Sequence, residues 1–177
     1  MVRLLTILGA VLWAGVSAAQ DTALQRLDTG EDSRDWGAVG RLEIDGRGFC
    51  TGALIAPDLV LTAAHCLYDK STGAAYDVKQ IEFRAGWRNG RAEAYRSVRR
   101  AVVHPKYAYS GDAQIETVQN DLALLELHHP IRNNRIAPFE TSTDLRKGSK
   151  IGVVYYAVGR EAAPSFQEVC QVMGRQR

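Results

Sequence analysis

The sequence predicts an all-β fold built around a small closed barrel. Six short, strand-like segments are separated by turn residues, and few stretches carry a convincing helical period. The chain has 177 residues, of which 46% are hydrophobic, enough for one modest domain with a real core. Six short antiparallel strands with turn chemistry between them are typical of a small closed barrel.

The strands are predicted in chain order from apolar, β-branched runs and from the turn residues that bound them. Asp45-Gly46 ends the first strand, Ala56-Pro57-Asp58 ends the second, and Arg88-Asn89-Gly90 follows the fourth. A seventh strand, 151–158, falls outside the first unit. The six barrel strands are predicted at 36–44, 49–55, 59–62, 81–85, 95–103 and 122–127.

The amino terminus predicts a signal peptide over residues 1–19. Arg3 precedes an apolar run over 4–16, and Ser17-Ala18-Ala19 offers the small residues that signal peptidase requires. The run is too short to span a bilayer easily, and no later stretch approaches the length of a transmembrane helix. We therefore expect residues 20–177 to be secreted, extracellular or periplasmic, without membrane attachment after cleavage.

Charge patterning points away from nucleic-acid and membrane partners. The formal net charge is +2, and acidic and basic residues are well mixed apart from a small arginine cluster at 96–100. Neither feature is typical of nucleic-acid or membrane binding.

A histidine and an aspartate stand in contexts suited to nucleophilic catalysis. His65 lies in Leu-Thr-Ala-Ala-His-Cys, and Asp121 begins an apolar strand in Asn-Asp-Leu-Ala-Leu-Leu. Such chemistry needs an imidazole base oriented by a buried carboxylate. A charge at the start of an apolar strand is costly unless it is hydrogen-bonded and paired, as with an imidazole. An isolated histidine or aspartate is normally an ordinary surface or core residue, but these two contexts favour a functional pair.

The chain has three cysteines, Cys50, Cys66 and Cys170, where an oxidising compartment favours an even number. A bridge between Cys50 and Cys66 would close a short loop and pin the turn that carries His65. Cys170 is then left without a partner in this chain. It could be a free buried thiol, form an intermolecular bridge, or pair with a cysteine in a missing carboxyl-terminal segment, which fits the other clues best.

Four segments, at 49–55, 60–66, 103–107 and 121–125, resemble the trypsin-like (chymotrypsin-fold, peptidase S1) serine proteases and occur in that family's order. The resemblance implies that His65 is the general base and Asp121 its orienting partner. It also implies a chymotrypsin-like double six-stranded antiparallel β-barrel. Only the amino-terminal barrel, about 36–130, and the start of the second, about 145–177, are expected in this chain.

Two departures from the family pattern matter. The segment at 35–40 replaces the usual Ile-Val-Gly-Gly start, which places the chain nearer the bacterial, V8-like branches. No segment of the Gly-Asp-Ser-Gly-Gly kind follows Asp121. Ser142, Ser149 and Ser165 lack the glycine-rich context that activates a nucleophile and builds an oxyanion hole. The nucleophilic serine is therefore predicted to be absent, and the chain alone to be inactive.

Three hypotheses follow. The chain could be an incomplete copy of a secreted serine endopeptidase, whose missing segment holds the serine and a partner for Cys170. It could instead be a non-catalytic, protease-like binding module, or a secreted structural barrel with coincidental motifs. The first explains every departure at once. No His-Glu-x-x-His helix or other metal-ligand spacing is present, so neither a metal nor a cofactor is expected.

Overall fold

The structure is a computed structural model that describes residues 24–111 and 118–174, with the backbone alone at 168–170. The predicted signal peptide, residues 1–19, lies outside the described residues. So does the thiol of Cys170, whose partner stays a prediction. Within the described ranges, no helix has the length and apolar character needed to cross a bilayer.

Nine strands and three short 3-10 turns make up the regular structure of the described residues. The 3-10 turns are Arg34–Trp36, Ala64–Leu67 and Val78–Gln80. The strands are β1 (Gln25–Arg26), β2 (Val39–Ile44), β3 (Gly48–Ala56), β4 (Leu59–Thr62), β5 (Ile81–Ala85), β6 (Ala94–Val103), β7 (Ala123–Leu127), β8 (Lys150–Tyr155) and β9 (Ser165–Gln171).

Strands β2 to β7 form a closed antiparallel barrel in the order β2-β3-β4-β7-β6-β5. Pairing of β2 with β5, with Leu42 opposite Phe83, joins the first strand to the end of the sheet and closes it. The predicted all-β fold with a six-stranded barrel is thus confirmed. The first strand begins at Val39 rather than at 36, because the chain there makes the 3-10 turn Arg34–Trp36.

A second, partial sheet has the order β1-β9-β8. Strands β1 and β9 were not predicted from the sequence, and β8 ends at Tyr155 rather than at 158 because a turn begins there, with Arg160 N donating to Ala157 O. Tyr156 fastens this sheet to the barrel. Its backbone N donates to Thr51 Oγ1 at 2.9 Å and its hydroxyl donates to Trp87 O at 2.7 Å. Burial raises the pKa of the Tyr156 hydroxyl.

The barrel interior is filled by alternate residues of its strands, of which Leu42, Leu54, Phe83 and Leu125 are fully buried. The Phe83 ring lies inside the barrel against the neighbouring strand β2. A Cβ atom at Gly40 would overlap this ring and lie 2.8 Å from Arg84 O. Glycine at this position is therefore a packing requirement.

One disulfide, Cys50–Cys66, joins β3 to the 3-10 turn Ala64–Leu67 with a Cα–Cα distance of 6.2 Å. Cys66 is buried, whereas Cys50 is half-buried. The bridge ties the turn that follows β4 to the neighbouring strand β3.

Replacing Gly40 with alanine should destabilise the barrel, because the added methyl group overpacks the lumen against Phe83. We expect a loss of about 2 kcal/mol in the free energy of unfolding, measured by urea denaturation. Gly48→Ala is the matched control, since nothing lies within 4 Å of a Cβ atom there. Equal losses in the two variants would contradict this account of Gly40.

Removing the disulfide in the double variant Cys50→Ser/Cys66→Ser should lower the free energy of unfolding by about 3 kcal/mol, because the bridge closes a short loop in the unfolded chain. Urea denaturation measures the loss. The unmodified protein in excess dithiothreitol should unfold at the same urea concentration as the variant. A stability unchanged by either treatment would show that the bridge constrains nothing.

Candidate active site

His65 is held at the edge of the barrel by its buried neighbours. It belongs to the 3-10 turn Ala64–Leu67, in which Ala64, Cys66 and Leu67 are all buried. The side chain of His65 itself is 48% exposed. The turn is thus anchored on both sides of a histidine whose ring reaches the surface.

Asp121 lies two residues before the start of β7 and contacts His65 through both of its carboxylate oxygens. Oδ1 accepts the backbone N–H of His65 at 2.8 Å, and Oδ2 lies 2.6 Å from the ring nitrogen Nδ1. The pairing of Thr62 with Ala123 between β4 and β7 brings these two segments side by side. The structure therefore brings together the two residues that the sequence predicted as a pair.

The contact with Asp121 fixes the orientation of the imidazole. A carboxylate oxygen can only accept, so Nδ1 carries the proton that it donates to Oδ2. In the neutral ring the other nitrogen, Nε2, is then unprotonated and available to accept a proton. This geometry leaves Nε2 able to take up a proton from a neighbouring group.

A cleft of about 840 Å³ opens beside His65. Phe49, Tyr68, Tyr155 and the Cys50–Cys66 bridge contribute to its walls, and Arg47 and Lys70 also line it. The lining of the cleft is therefore a mixture of apolar and charged side chains.

Three tyrosines form an aromatic cluster next to the pair, which the sequence analysis did not single out. The rings of Tyr68 and Tyr109 stack at 4.9 Å, and those of Tyr68 and Tyr107 lie 6.1 Å apart. Burial, followed by the negative charge of Asp121, raises the pKa of Tyr107. Of the three tyrosines, Tyr107 lies in a segment that the sequence marked as similar to the family, Val-His-Pro-Lys-Tyr at 103–107.

Ser71 lines the same cleft as His65, but its hydroxyl donates to Asp69 Oδ1 at 2.5 Å. That hydrogen bond, with backbone N–H donors of Ser71 and Thr72, lowers the pKa of Asp69 to about 2. Ser71 therefore belongs to an Asx-type turn rather than to the His65 imidazole.

The serines that follow Asp121 in the chain lie in other environments. Ser165 is fully buried in β9, and the hydroxyl of Ser142 accepts the backbone N–H of Asp144 in an exposed loop. Ser149 lies in the turn before β8, where its backbone N donates to Arg146 O. That none of the three is a nucleophile stays a prediction.

Cys50, His65 and Cys66 place their potential ligand atoms within 4.8 Å of one another. Zinc requires sulfur ligands as thiolates. The two sulfurs of this group are bonded to each other, so they supply no thiolate while the bridge is intact.

Comparison with known proteins agrees with this geometry. The family model described as "Trypsin" matches residues 29–173. The chain is 36% identical over 88 residues to a trypsin of Phaedon cochleariae and 33% identical over 90 residues to cathepsin G of Homo sapiens. These alignments cover 49% and 51% of this chain, but only 30% and 31% of the two relatives.

The fold agrees as well. A solved structure titled "Structure of Glu endopeptidase in complex with MPD" superimposes with a TM-score of 0.66 and 19% sequence identity, covering 89% of this chain and 71% of that chain. The alignments with the two curated relatives above, in contrast, span less than a third of the length of each relative. The chain belongs to the trypsin family of chymotrypsin-fold serine proteases, because the family model matches residues 29–173 and the structure pairs His65 with Asp121 on a closed six-stranded barrel.

Proposed function

We propose that this chain carries the base and the orienting carboxylate of a secreted serine-type endopeptidase that hydrolyses peptide bonds in proteins or peptides. The observation that carries the proposal is the double contact between Asp121 and His65 beside an open cleft. A structural role alone would not require an exposed imidazole held in one tautomer by a carboxylate at 2.6 Å.

Each half of the proposed reaction has two proton transfers at Nε2 of His65. In the first, Nε2 takes the proton of a serine hydroxyl as that oxygen attacks the substrate carbonyl. The imidazolium then gives this proton to the leaving amine as the peptide bond breaks and an acyl-enzyme forms. In the second half, Nε2 takes a proton from water as the water oxygen attacks the acyl-enzyme, and it returns this proton to the serine oxygen as the acid leaves. Asp121 stabilises the imidazolium in both halves, and no metal or cofactor enters the scheme.

We further propose that the nucleophilic serine is not among these 177 residues, so that the chain alone does not hydrolyse peptides. The buried Ser165 and the loop residue Ser142 support this, as does the bond between Ser71 and Asp69. The second candidate function is a non-catalytic binding module. This candidate is favoured because a cleft is present beside His65, whereas the Ser71 hydroxyl is bonded to Asp69 and the Ser142 hydroxyl to the backbone of Asp144.

Secretion is part of the proposal. The apolar run within residues 1–19 supports it, and the Cys50–Cys66 disulfide is typical of an oxidising compartment.

Replacing Asp121 with asparagine should change the tautomer of His65, because an amide NH₂ facing the ring nitrogen favours a neutral ring protonated at Nε2. Nitrogen-15 spectra of the histidine ring at neutral pH should show the proton on Nδ1 in the unmodified chain and on Nε2 in the variant. Asp144→Asn, which changes a carboxylate that is 78% exposed, is the control and should leave the spectrum unaltered. An unchanged tautomer in Asp121→Asn would argue against the proposed orienting role.

The product of this sequence, residues 20–177 after the proposed cleavage, should show no labelling by a serine-directed fluorophosphonate. His65→Ala serves as the comparison, since any labelling that depends on an activated serine must disappear in it. Stoichiometric labelling that His65→Ala abolishes would overturn the proposed absence of the serine.

The intact mass of the native secreted protein separates the two candidate functions. A mass well above that of residues 20–177 would support an endopeptidase whose serine lies in a longer polypeptide. A matching mass, together with no labelling, would favour the binding module.

A further inference from the structure

The part of the cleft beside His65 brings three potential metal ligands together. A ring nitrogen of His65 and the sulfurs of Cys50 and Cys66 all lie within 4.8 Å of one another. All three residues line the cleft, and Cys50 is half-buried, so ions and small molecules from solvent can reach the group. The proposed peptidase chemistry uses only the histidine of the three.

The donor atoms of this group are those that zinc prefers once the cysteines are reduced. Zinc binds thiolate sulfur at about 2.3 Å and imidazole nitrogen at about 2.0 Å, and tetrahedral angles then separate the ligand atoms by about 3.5 to 3.8 Å. The nitrogen of His65, within 4.8 Å of both sulfurs, is already near this spacing. The two sulfurs reach it when the bond between them is broken.

Asp121 holds the imidazole in the form that a metal ligand requires. Its Oδ2 lies 2.6 Å from Nδ1 of His65, so Nδ1 keeps its proton and Nε2 is the nitrogen left for an ion. Histidines that bind metals almost always donate their other ring nitrogen to a carboxylate, a carbonyl or water, and this contact raises the affinity for the metal. The outer partner of a zinc ligand is therefore already in place.

We propose that reduction of the Cys50–Cys66 bridge turns this group into a zinc site, in which both cysteines and His65 bind one Zn²⁺. A thiol reductant passes two electrons and two protons to the two sulfurs and is itself oxidised to a disulfide. Zn²⁺ then displaces both thiol protons and forms two bonds to sulfur and one to nitrogen. Water from the cleft is the fourth ligand, since the described residues place three protein ligands in the group.

Zinc at this site competes with proton transfer for the same atom. An ion bound to Nε2 of His65 occupies the lone pair that would accept a proton, so the zinc-bound form cannot act as a base. Oxidation of the two cysteines back to the bridge removes both thiolates and releases the ion. The inhibitory consequence rests on the proposed function, whereas the binding of zinc does not.

Cobalt is the probe for the site, because Co²⁺ occupies the same kinds of site as Zn²⁺ with lower affinity and absorbs visible light when thiolates bind it in a tetrahedron. The mature chain, residues 20–177, carries Cys170→Ser, so that only Cys50 and Cys66 supply thiolates. After reduction with a phosphine, one Co²⁺ per chain should bind with thiolate charge-transfer and visible bands. Zn²⁺ should then abolish both bands, and the oxidised chain should show neither.

Asp121→Asn tests whether the carboxylate supports a zinc ligand. The affinity of the reduced chain for Zn²⁺, measured by competition with a chelating dye, should fall by about tenfold or more, because the amide no longer fixes the proton on Nδ1. His65→Ala should lower the affinity at least as much. Asp144→Asn, which changes a carboxylate that is 78% exposed, is the matched control and should alter the affinity by less than about twofold.

Urea unfolding covers the case in which reduction loosens the barrel. Zn²⁺ should raise the urea midpoint of the reduced chain, because it binds the folded state in which the three ligands are together. The double variant Cys50→Ser/Cys66→Ser lacks both thiolates and should show no rise.

Three outcomes would overturn the proposal: a reduced chain without the thiolate–cobalt bands, a urea midpoint that Zn²⁺ does not raise, or equal zinc affinity in Asp121→Asn and Asp144→Asn. None of these measurements depends on catalysis. A failure of the proposed peptidase activity would therefore leave the zinc result unaffected, and absence of the zinc site would leave the proposed activity unaffected.

Discussion

Closure of the barrel around the ring of Phe83 is the constraint on which the rest of the structure depends. The ring occupies the lumen only because β2 presents Gly40, whose missing side chain leaves room for it. Because β2 pairs with β5, each of the six strands has a hydrogen-bonded neighbour on both sides, and the sheet of the barrel has no free edge. The side chains of Leu42, Leu54 and Leu125 then fill the remaining interior.

The candidate site follows from this closure. The barrel order places β4 beside β7, although about sixty residues separate them in the chain, and the ends of these strands carry His65 and Asp121. The disulfide Cys50–Cys66 fixes the histidine turn to β3, and Tyr156 holds the second sheet against the same part of the barrel through Thr51. The pair is thus formed by residues that rigid strands and a covalent bond keep in place.

Much of this could be predicted from the sequence, for physical reasons. Alternating apolar residues at 81–85 and 122–127 marked the barrel strands, and Leu59–Thr62 was predicted at its observed bounds. His65 and Asp121 were found because each stands in a distinctive local context. Strand β1 was missed, since its two residues pair only with the distant strand β9. Strand β9 was missed although it follows β8 closely, because polar residues at 165, 167, 168 and 171 interrupt its apolar pattern. The stacking of Tyr68 on Tyr109 was missed because a loop contact leaves no local periodicity.

The two carboxylate oxygens of Asp121 have different hydrogen-bond partners on His65. Oδ1 is held by the backbone N–H of His65, a group that neither titrates nor rotates, while Oδ2 faces the ring. The carboxylate therefore keeps its place when the half-exposed imidazole gains a proton, loses one, or turns about its χ1 bond toward solvent. If the ring rotates toward solvent, Oδ2 stays in its original position and can accept the hydrogen bond again when the ring returns. The backbone N–H of His65, which positions the carboxylate, therefore determines the orientation to which the ring returns.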